Sequence, residues 1–573
     1  MGPDQPVYLW WARLGAAEGI SLVGARPGAP ALIPAIAGTL HLPLVPVMAG
    51  LQYSLGVAVG AATVALVRGR SRGGRPGWLL SGSMAGMFGV HLAAGYVANL
   101  AFAVTFVAAA AMLAGRTRRS VPAAVLLLGG GGLFHPEFFA VGMLILGVTA
   151  ALAWSVGTER GWSSDAPRIV GSIVGAGAIV AAGLASMALG PSRLPVDTSK
   201  DGFLRRAGLA QALRDTYLFR FRENVRRYAP WLTLPLAAIG TLQVRGTTSL
   251  FLVAWLVCTV LGVPVGIATG WFPPERLMTF GFAAPILAGL GLTWVWERTE
   301  PRRWLTIFVT GVLVLLFLVP TIDAQRAQQT FVSPEDLISG SFAGRIARTL
   351  PPGTPLVFAV DDIDTSATFL ATHVGNLARA TVPTDRVQDV YVFVGRVSDY
   401  YLGRPTIKGV ADYDALSRIT LADLPPGPRA LFVVRGYDRE PSAFTDSHLR
   451  EWSEGVWSDV PNPRPLPAGP DEPSGSGPWP IALTTVLVLM LVWVIGAGWA
   501  RWAFGDRVAA ATTAPAFGVA ALTISALALD RLGMPLTGAW GPSSASALAG
   551  LSGYALSFFK GTASVDPATQ VDE

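Results

Sequence analysis

Asp4 stands in a short polar stretch, Met1 to Tyr8, directly ahead of a long apolar chain. A carboxylate there has few packing reasons to be present, and it can act as a base on an acceptor hydroxyl at a membrane surface. A second group is His135-Pro136-Glu137, set between Gly129–Gly132 and Phe138-Phe139. Ionisable side chains at the ends of apolar runs are functional candidates. His135 or Glu137 can orient an acceptor, assist a metal or share the base role; the competing reading is a plain turn. A third group is Trp271-Phe-Pro-Pro-Glu-Arg276, which leads straight into another apolar run. The guanidinium fork of Arg276 suits phosphate oxygens, or it pairs with Glu275 as an interfacial anchor. His91 reads better as a structural hydrogen bonder, and Asp361-Asp362-Ile-Asp364 as ordinary loop acids after a strand.

Arginines also crowd residues 193–228, among them Arg205 and Arg206. Between them Leu204, Leu209, Leu213, Tyr217 and Phe221 recur at helical spacing, the pattern of an amphipathic helix lying on a membrane. Its arginines either attract anionic lipid or grip a lipid-linked phosphate. Tyr8 and Arg13 bound a further amphipathic stretch that would lay aromatic rings at the interface and hold Asp4 near the mouth of the bundle. Both are candidate substrate contacts.

The elements that must position these residues are membrane helices. The chain has 573 residues, 51% hydrophobic and only 14% charged, with mean hydropathy +0.48. Soluble domains carry about a quarter charged residues. Apolar runs of roughly 17–25 residues favour helices over a barrel. The fold class is therefore a polytopic α-helical membrane protein of about 13 spans with a small extracytoplasmic α/β domain. Expected spans are 42–67, 77–95, 97–114, 121–134, 138–157, 168–189, 229–244, 248–268, 278–296, 304–321, 479–500, 508–530 and 541–558.

The formal net charge of +6 reads as arginines fixing orientation, with no nucleic acid as partner. Clusters at Arg68–Arg75, Arg116–Arg119, Arg298–Arg303 and Arg501–Arg507 all fall inside in one consistent topology. That puts Asp4, the His135 turn, the 190–228 segment, the Arg276 loop and residues 322–478 outside, in a multi-pass plasma-membrane protein. Residues 1–41 then form an outer loop and interfacial helix, 42–321 the transmembrane core, 479–560 the C-terminal helices and 561–573 a cytoplasmic tail. In 322–478, the runs Leu356–Val360, Val390–Val394 and Ala430–Val434 alternate with helical stretches, as in a parallel sheet, and residues 461–480 read as a linker. The single cysteine, Cys258, excludes an internal disulfide. No Gly-rich Lys loop, nucleophile elbow or zinc spacing is present.

These features together resemble the GT-C superfamily of integral-membrane glycosyltransferases, which take sugars from polyprenyl-phosphate donors. The acidic first outer loop at Asp4, the helix after it, the His135-Pro136-Glu137 turn, the Pro-Pro-Glu-Arg276 loop and the outer α/β domain carry the likeness. The chain also looks like large actinobacterial membrane proteins related to that superfamily. The resemblance implies hexosyl or pentosyl transfer to a cell-envelope glycan, lipid or protein. Asp4 would be the base, with Glu137 and His135 beside it, and Arg276, Arg205 and Arg206 would hold the donor phosphate. It also implies a divalent cation, Mg or Mn, as an optional partner of Asp4 and Glu137. In that superfamily a transmembrane helix precedes the acidic loop. The expectation here is that the start lies further upstream or that this copy lacks the helix. The rival readings are a lipid or polysaccharide transporter or flippase, expected to show repeats and mid-membrane charges, and a non-catalytic scaffold with an outer binding domain.

Overall fold

The computed structural model describes residues 5–20, 26–71, 74–88, 95–157, 165–188, 233–269, 274–299, 343–360, 375–394, 430–434, 450–453, 456–458 and 478–558, with 304, 305, 307, 308, 311 and 319. Asp4, His91, residues 193–228 with Arg205 and Arg206, Trp271–Pro273, Asp361–Asp364, most of 304–321 and the 561–573 tail lie outside these.

The fold is helical, and seven described helices are long and apolar enough to cross a membrane. They are α3 (Leu44–Val67), α5 (Val97–Ala114), α7 (Pro136–Gly157), α8 (Asp165–Ala188), α10 (Gly246–Thr269), α13 (Pro478–Ala503) and α14 (Arg507–Arg531). The 24 residues of α3 reach about 36 Å at 1.5 Å per residue, enough for a bilayer core of about 30 Å. The chain is thus a multi-pass helical membrane protein.

Other expected spans take a different form. The 77–95 run folds as α4 (Gly74–Gly86), the 121–134 run as α6 (Ser120–Gly132) and the 229–244 run as α9 (Thr233–Thr241). Their described lengths are 13, 13 and 9 residues, with 89–94 of the first run and 229–232 of the last outside the described residues. The 278–296 run yields α11 (Pro274–Thr279) and α12 (Ala283–Thr299), and the last span is α15 (Trp540–Phe558).

The first 41 residues hold two helices, α1 (Gln5–Glu18) and α2 (Gly28–Leu40). Every residue of α2 from Gly28 to Ala37 is buried. Its Gly28 N–H donates to Leu133 O at 3.0 Å, just past α6, and its Thr39 hydroxyl meets Ser546 of α15 at 2.8 Å. Both ends of α2 therefore lie at one end of the bundle, across the helix termini. The expected interfacial helix is α1, but its aromatic face is covered: Tyr8, Leu9 and Trp10 are buried. Protein, rather than lipid headgroups, packs on these rings.

The arginine clusters gather at the opposite end. Arg68 pairs with Asp506 at 2.9 Å, Arg119 donates to Trp502 O at 2.9 Å, and Arg116 pairs with Asp165 at 2.9 Å. The Arg245 N–H donates to Arg70 O at 2.9 Å.

Strands β1 (Leu356–Val360), β2 (Val390–Val394) and β3 (Ala430–Val434) pair in parallel, with β1 in the middle. The sheet order is β2-β1-β3-β5-β4, where β4 (Arg450–Ser453) and β5 (Val456–Ser458) form an antiparallel edge. Strands enclosed on both faces need apolar residues throughout, and Leu356, Val357, Phe358 and Phe432 are all buried. Helical segments at 343–349 and 375–381 supply Ile346, Ala347, Leu377 and Ala378 to the same core. Arg386 ties them together through the Ala347, Leu350 and Thr354 carbonyls.

Candidate functional site

The His135-Pro136-Glu137 turn opens α7, and its residue types follow the rules of a helix start. Nδ1 of His135 accepts from the Phe138 N–H at 3.3 Å, which makes His135 a side-chain N-cap. Proline suits the first helical position because its missing N–H is one the helix leaves unbonded. Glu137 adds an acid to the first turn, favourable beside the positive end of the helix dipole. The accepting Nδ1 assigns the proton of the neutral ring to Nε2. His135 is buried, its ring stacked on Phe138 with centroids 4.0 Å apart. Glu137 is half-buried, with one carboxylate oxygen sealed from solvent.

Capping makes a separable prediction. His135→Ala removes the cap and is expected to cost about 0.5–2 kcal/mol. His135→Asn keeps an acceptor at the same place and should lose less. Thermal unfolding of the purified variants decides this, and equal losses would contradict the capping role.

The turn is joined to the segment that carries Arg276. Phe138 stacks on Phe280 at 5.2 Å, one residue past the end of α11, which contains Arg276. Phe280 also meets Phe102, Phe106 and Trp255 at 5.0–5.3 Å, and its carbonyl accepts from the Trp255 indole N–H at 2.8 Å. This aromatic floor fixes the two segments side by side at the end of the bundle away from the arginine clusters. The expected Pro273–Arg276 loop is helical from Pro274 onward.

The start of α1 is held at the same end. The Gln5 amide donates to Gln52 of α3, both buried. Gly95 gives Gln5 room: its φ is +74°, and a side chain there would meet the Gln5 Cγ. Phe88, at the far side of the same connection, packs on Phe282 at 4.9 Å. Gln5 follows Asp4 in the chain, so the residue after Asp4 is anchored within the bundle.

Tyr8 and Arg13 are placed otherwise than as open substrate contacts. Tyr8 is fully buried and edge-on to Trp11 at 5.8 Å. Arg13 donates to Ala380 O, and to Val382 O at 2.9 Å, carbonyls at the end of the 375–381 helix. Burial first, then the Arg348 guanidinium, lowers the Arg13 pKa below its ordinary value. Trp10 adds an indole hydrogen bond to Asn376 at 3.3 Å and lies under Arg379 at 5.9 Å. Hence α1 is the joint between the bundle and the sheet. Arg13→Ala is expected to cost about 1.5–3 kcal/mol, the range for hydrogen bonds from a charged donor, and to speed amide exchange in 375–382. Unchanged exchange there would contradict this joint.

Among the described residues no group of three or more His, Cys, Asp or Glu side chains comes together; Asp4, expected with Glu137 at an optional cation, lies outside them. Sequence reasoning passed over Gln52, visible only as a polar residue within an apolar run, and Asp530. The Asp530 carboxylate accepts from the Ile20 N–H at 3.3 Å, pinning the end of α1 to α14. The charged pair Asp530-Arg531 at the end of a long apolar run was the available signal.

The chain matches no protein-family model and no curated protein with which it was compared. The family resemblance therefore rests on the residues named above.

Proposed function

We propose that this chain is a membrane glycosyltransferase that moves a hexosyl or pentosyl unit from a polyprenyl-phosphate donor to a cell-envelope acceptor. The reaction lies at the bundle end away from the arginine clusters. Basic ends stay cytoplasmic, which makes this end, and the sheet beside it, extracytoplasmic. The acceptor oxygen attacks the anomeric carbon, and the bond from that carbon to the lipid phosphate oxygen breaks. The phosphate leaves with the electron pair, and the acceptor proton passes to Asp4. Glu137 orients the acceptor, held at its angle by the His135 cap. Arg276, with Arg205 or Arg206, carries the phosphate charge. Lipid phosphate is a good leaving group, so base, positioning and charge stabilisation are what the protein must supply.

The observation that supports this reading most is the stacking of Phe138 on Phe280, which brings the turn of Glu137 against the helix of Arg276. A scaffold has no need of that convergence. The test is a distance. With Cys258 replaced by Ala, spin labels at positions 4 and 137 are expected within about 10–15 Å, the scale of a sugar phosphate with a water layer. A separation well beyond that range removes Asp4 from the site.

A further inference from the structure

Helix α1 is fastened to two different bodies. At its start the Gln5 amide donates to Gln52 of α3. Just past its end the Ile20 N–H donates to the Asp530 carboxylate of α14 at 3.3 Å. Both of these bonds are to the helix bundle. Between them, Trp10 Nε1 donates to Asn376 at 3.3 Å, and Arg13 donates to the Ala380 and Val382 carbonyls. All of the middle bonds are to the sheet unit. Gln5, Tyr8 and Ala12 recur at helical spacing and share one face of α1, while Trp10 and Arg13 share another.

Two end fastenings fix an axis and leave rotation about it. Apolar burial is non-directional, so the packing of Leu9 and Leu14 resists that rotation weakly. Hydrogen bonds hold an angle, and those of Trp10 and Arg13 stand off the axis. Their acceptors belong to the frame of the sheet. Ala380 and Val382 close the helical run 375–381, where the last carbonyls have no partner in their own helix and the dipole is negative. A guanidinium from α1 therefore caps a helix of the sheet unit. That helix end runs through the 3₁₀ turn Thr384–Asp389 into β2. The helical run 343–349, which precedes β1, lies against it so closely that a Cβ on Gly344 would meet the Thr381 carbonyl. Asp4 directly precedes Gln5 in the chain, at the start of the helix so held.

We propose that the sheet unit sets the angle of α1 through Arg13 and thereby places Asp4, which makes Arg13 a positioning residue for transfer. The role of Asp4 rests on the transferase reading; the hold of the sheet unit on α1 does not. The first test is the distance distribution between spin labels at positions 4 and 137 in the full-length Cys258→Ala protein. The parent should give one narrow distribution, and Arg13→Ala should broaden or shift it. Arg13→Met keeps the length of the side chain and donates nothing. It should act in the same way, and it serves where the Ala variant does not fold. Arg119→Ala loses a comparable bond to a carbonyl at the opposite end and should leave the distribution as in the parent. An unchanged distribution in a folded Arg13 variant overturns the proposal, as does an equal change in Arg119→Ala.

Transfer supplies a second readout. Arg13→Ala should lower kcat by roughly tenfold to a hundredfold, the scale for a misplaced reacting group, with little change in KM. In an Asp4→Asn background it should add no further loss, because a residue that acts through Asp4 has nothing left to position. Equal losses in both backgrounds would make Arg13 merely structural and overturn the positioning role. A parent that transfers no sugar removes the transferase reading, and the label distances then decide the hold on α1 by themselves.

Discussion

Asp4→Asn is expected to lower sugar transfer by roughly a hundredfold to ten-thousandfold, the range for removing a general base. The change keeps shape and polarity and removes only the capacity to take a proton. It should therefore act on kcat with little change in KM, because donor binding does not need the base. The anchor next to it is unaltered: Gln5 remains bonded to Gln52 and seated on Gly95, so the unfolding temperature should match that of the parent. Glu137→Gln should lower transfer less if, as proposed, Glu137 orients the acceptor and Asp4 takes its proton. Steady-state transfer with a polyprenyl-phosphate sugar measures both. An Asp4→Asn protein as active as its parent would move the base elsewhere.

Gly496→Ala and Gly518→Ala are each expected to destabilise the protein by about 1–3 kcal/mol or more, the cost of overpacking a closed core. A methyl on Gly496 would run into the Ala514 carbonyl oxygen, and one on Gly518 into that of Val492. These are backbone atoms, so relief requires α13 and α14 to separate along their length. Membrane helices hold together by close packing, with no hydrophobic drive between them, and small residues are what permit that approach. Thermal unfolding in detergent should show lower midpoints for both variants. Gly505→Ala, in the turn between these helices with open space at its Cβ, should leave the midpoint close to the parent's. Equal midpoints for all three would contradict the close crossing.

The long spans were legible in the sequence because about twenty apolar residues in a row is a demand of the bilayer itself. The three parallel strands were legible for a related reason: each is a short β-branched and aromatic run in a polar stretch. The 121–134 and 229–244 runs show as the shorter helices α6 and α9 among the described residues, so apolarity alone did not give their length. α2 went unread as an element because its glycines and prolines look like loop, yet enclosure by α14 and α15 makes it a helix. The contacts that build the site could not be read at all. Ile20 and Asp530 are 510 positions apart, and Arg13 and Ala380 are 367 apart. His135 shows a different limit: its sequence signal was real, but the clearest duty it marks is capping α7.

Sugar transfer itself is the claim to test most directly. The reconstituted protein would be given a polyprenyl-phosphate donor labelled in both sugar and lipid, with a cell-envelope glycan as acceptor. The expected result is labelled acceptor and free polyprenyl phosphate in equal amounts, with both lost in Asp4→Asn. A donor that stays intact while it crosses the bilayer would contradict the account and make the protein a transporter.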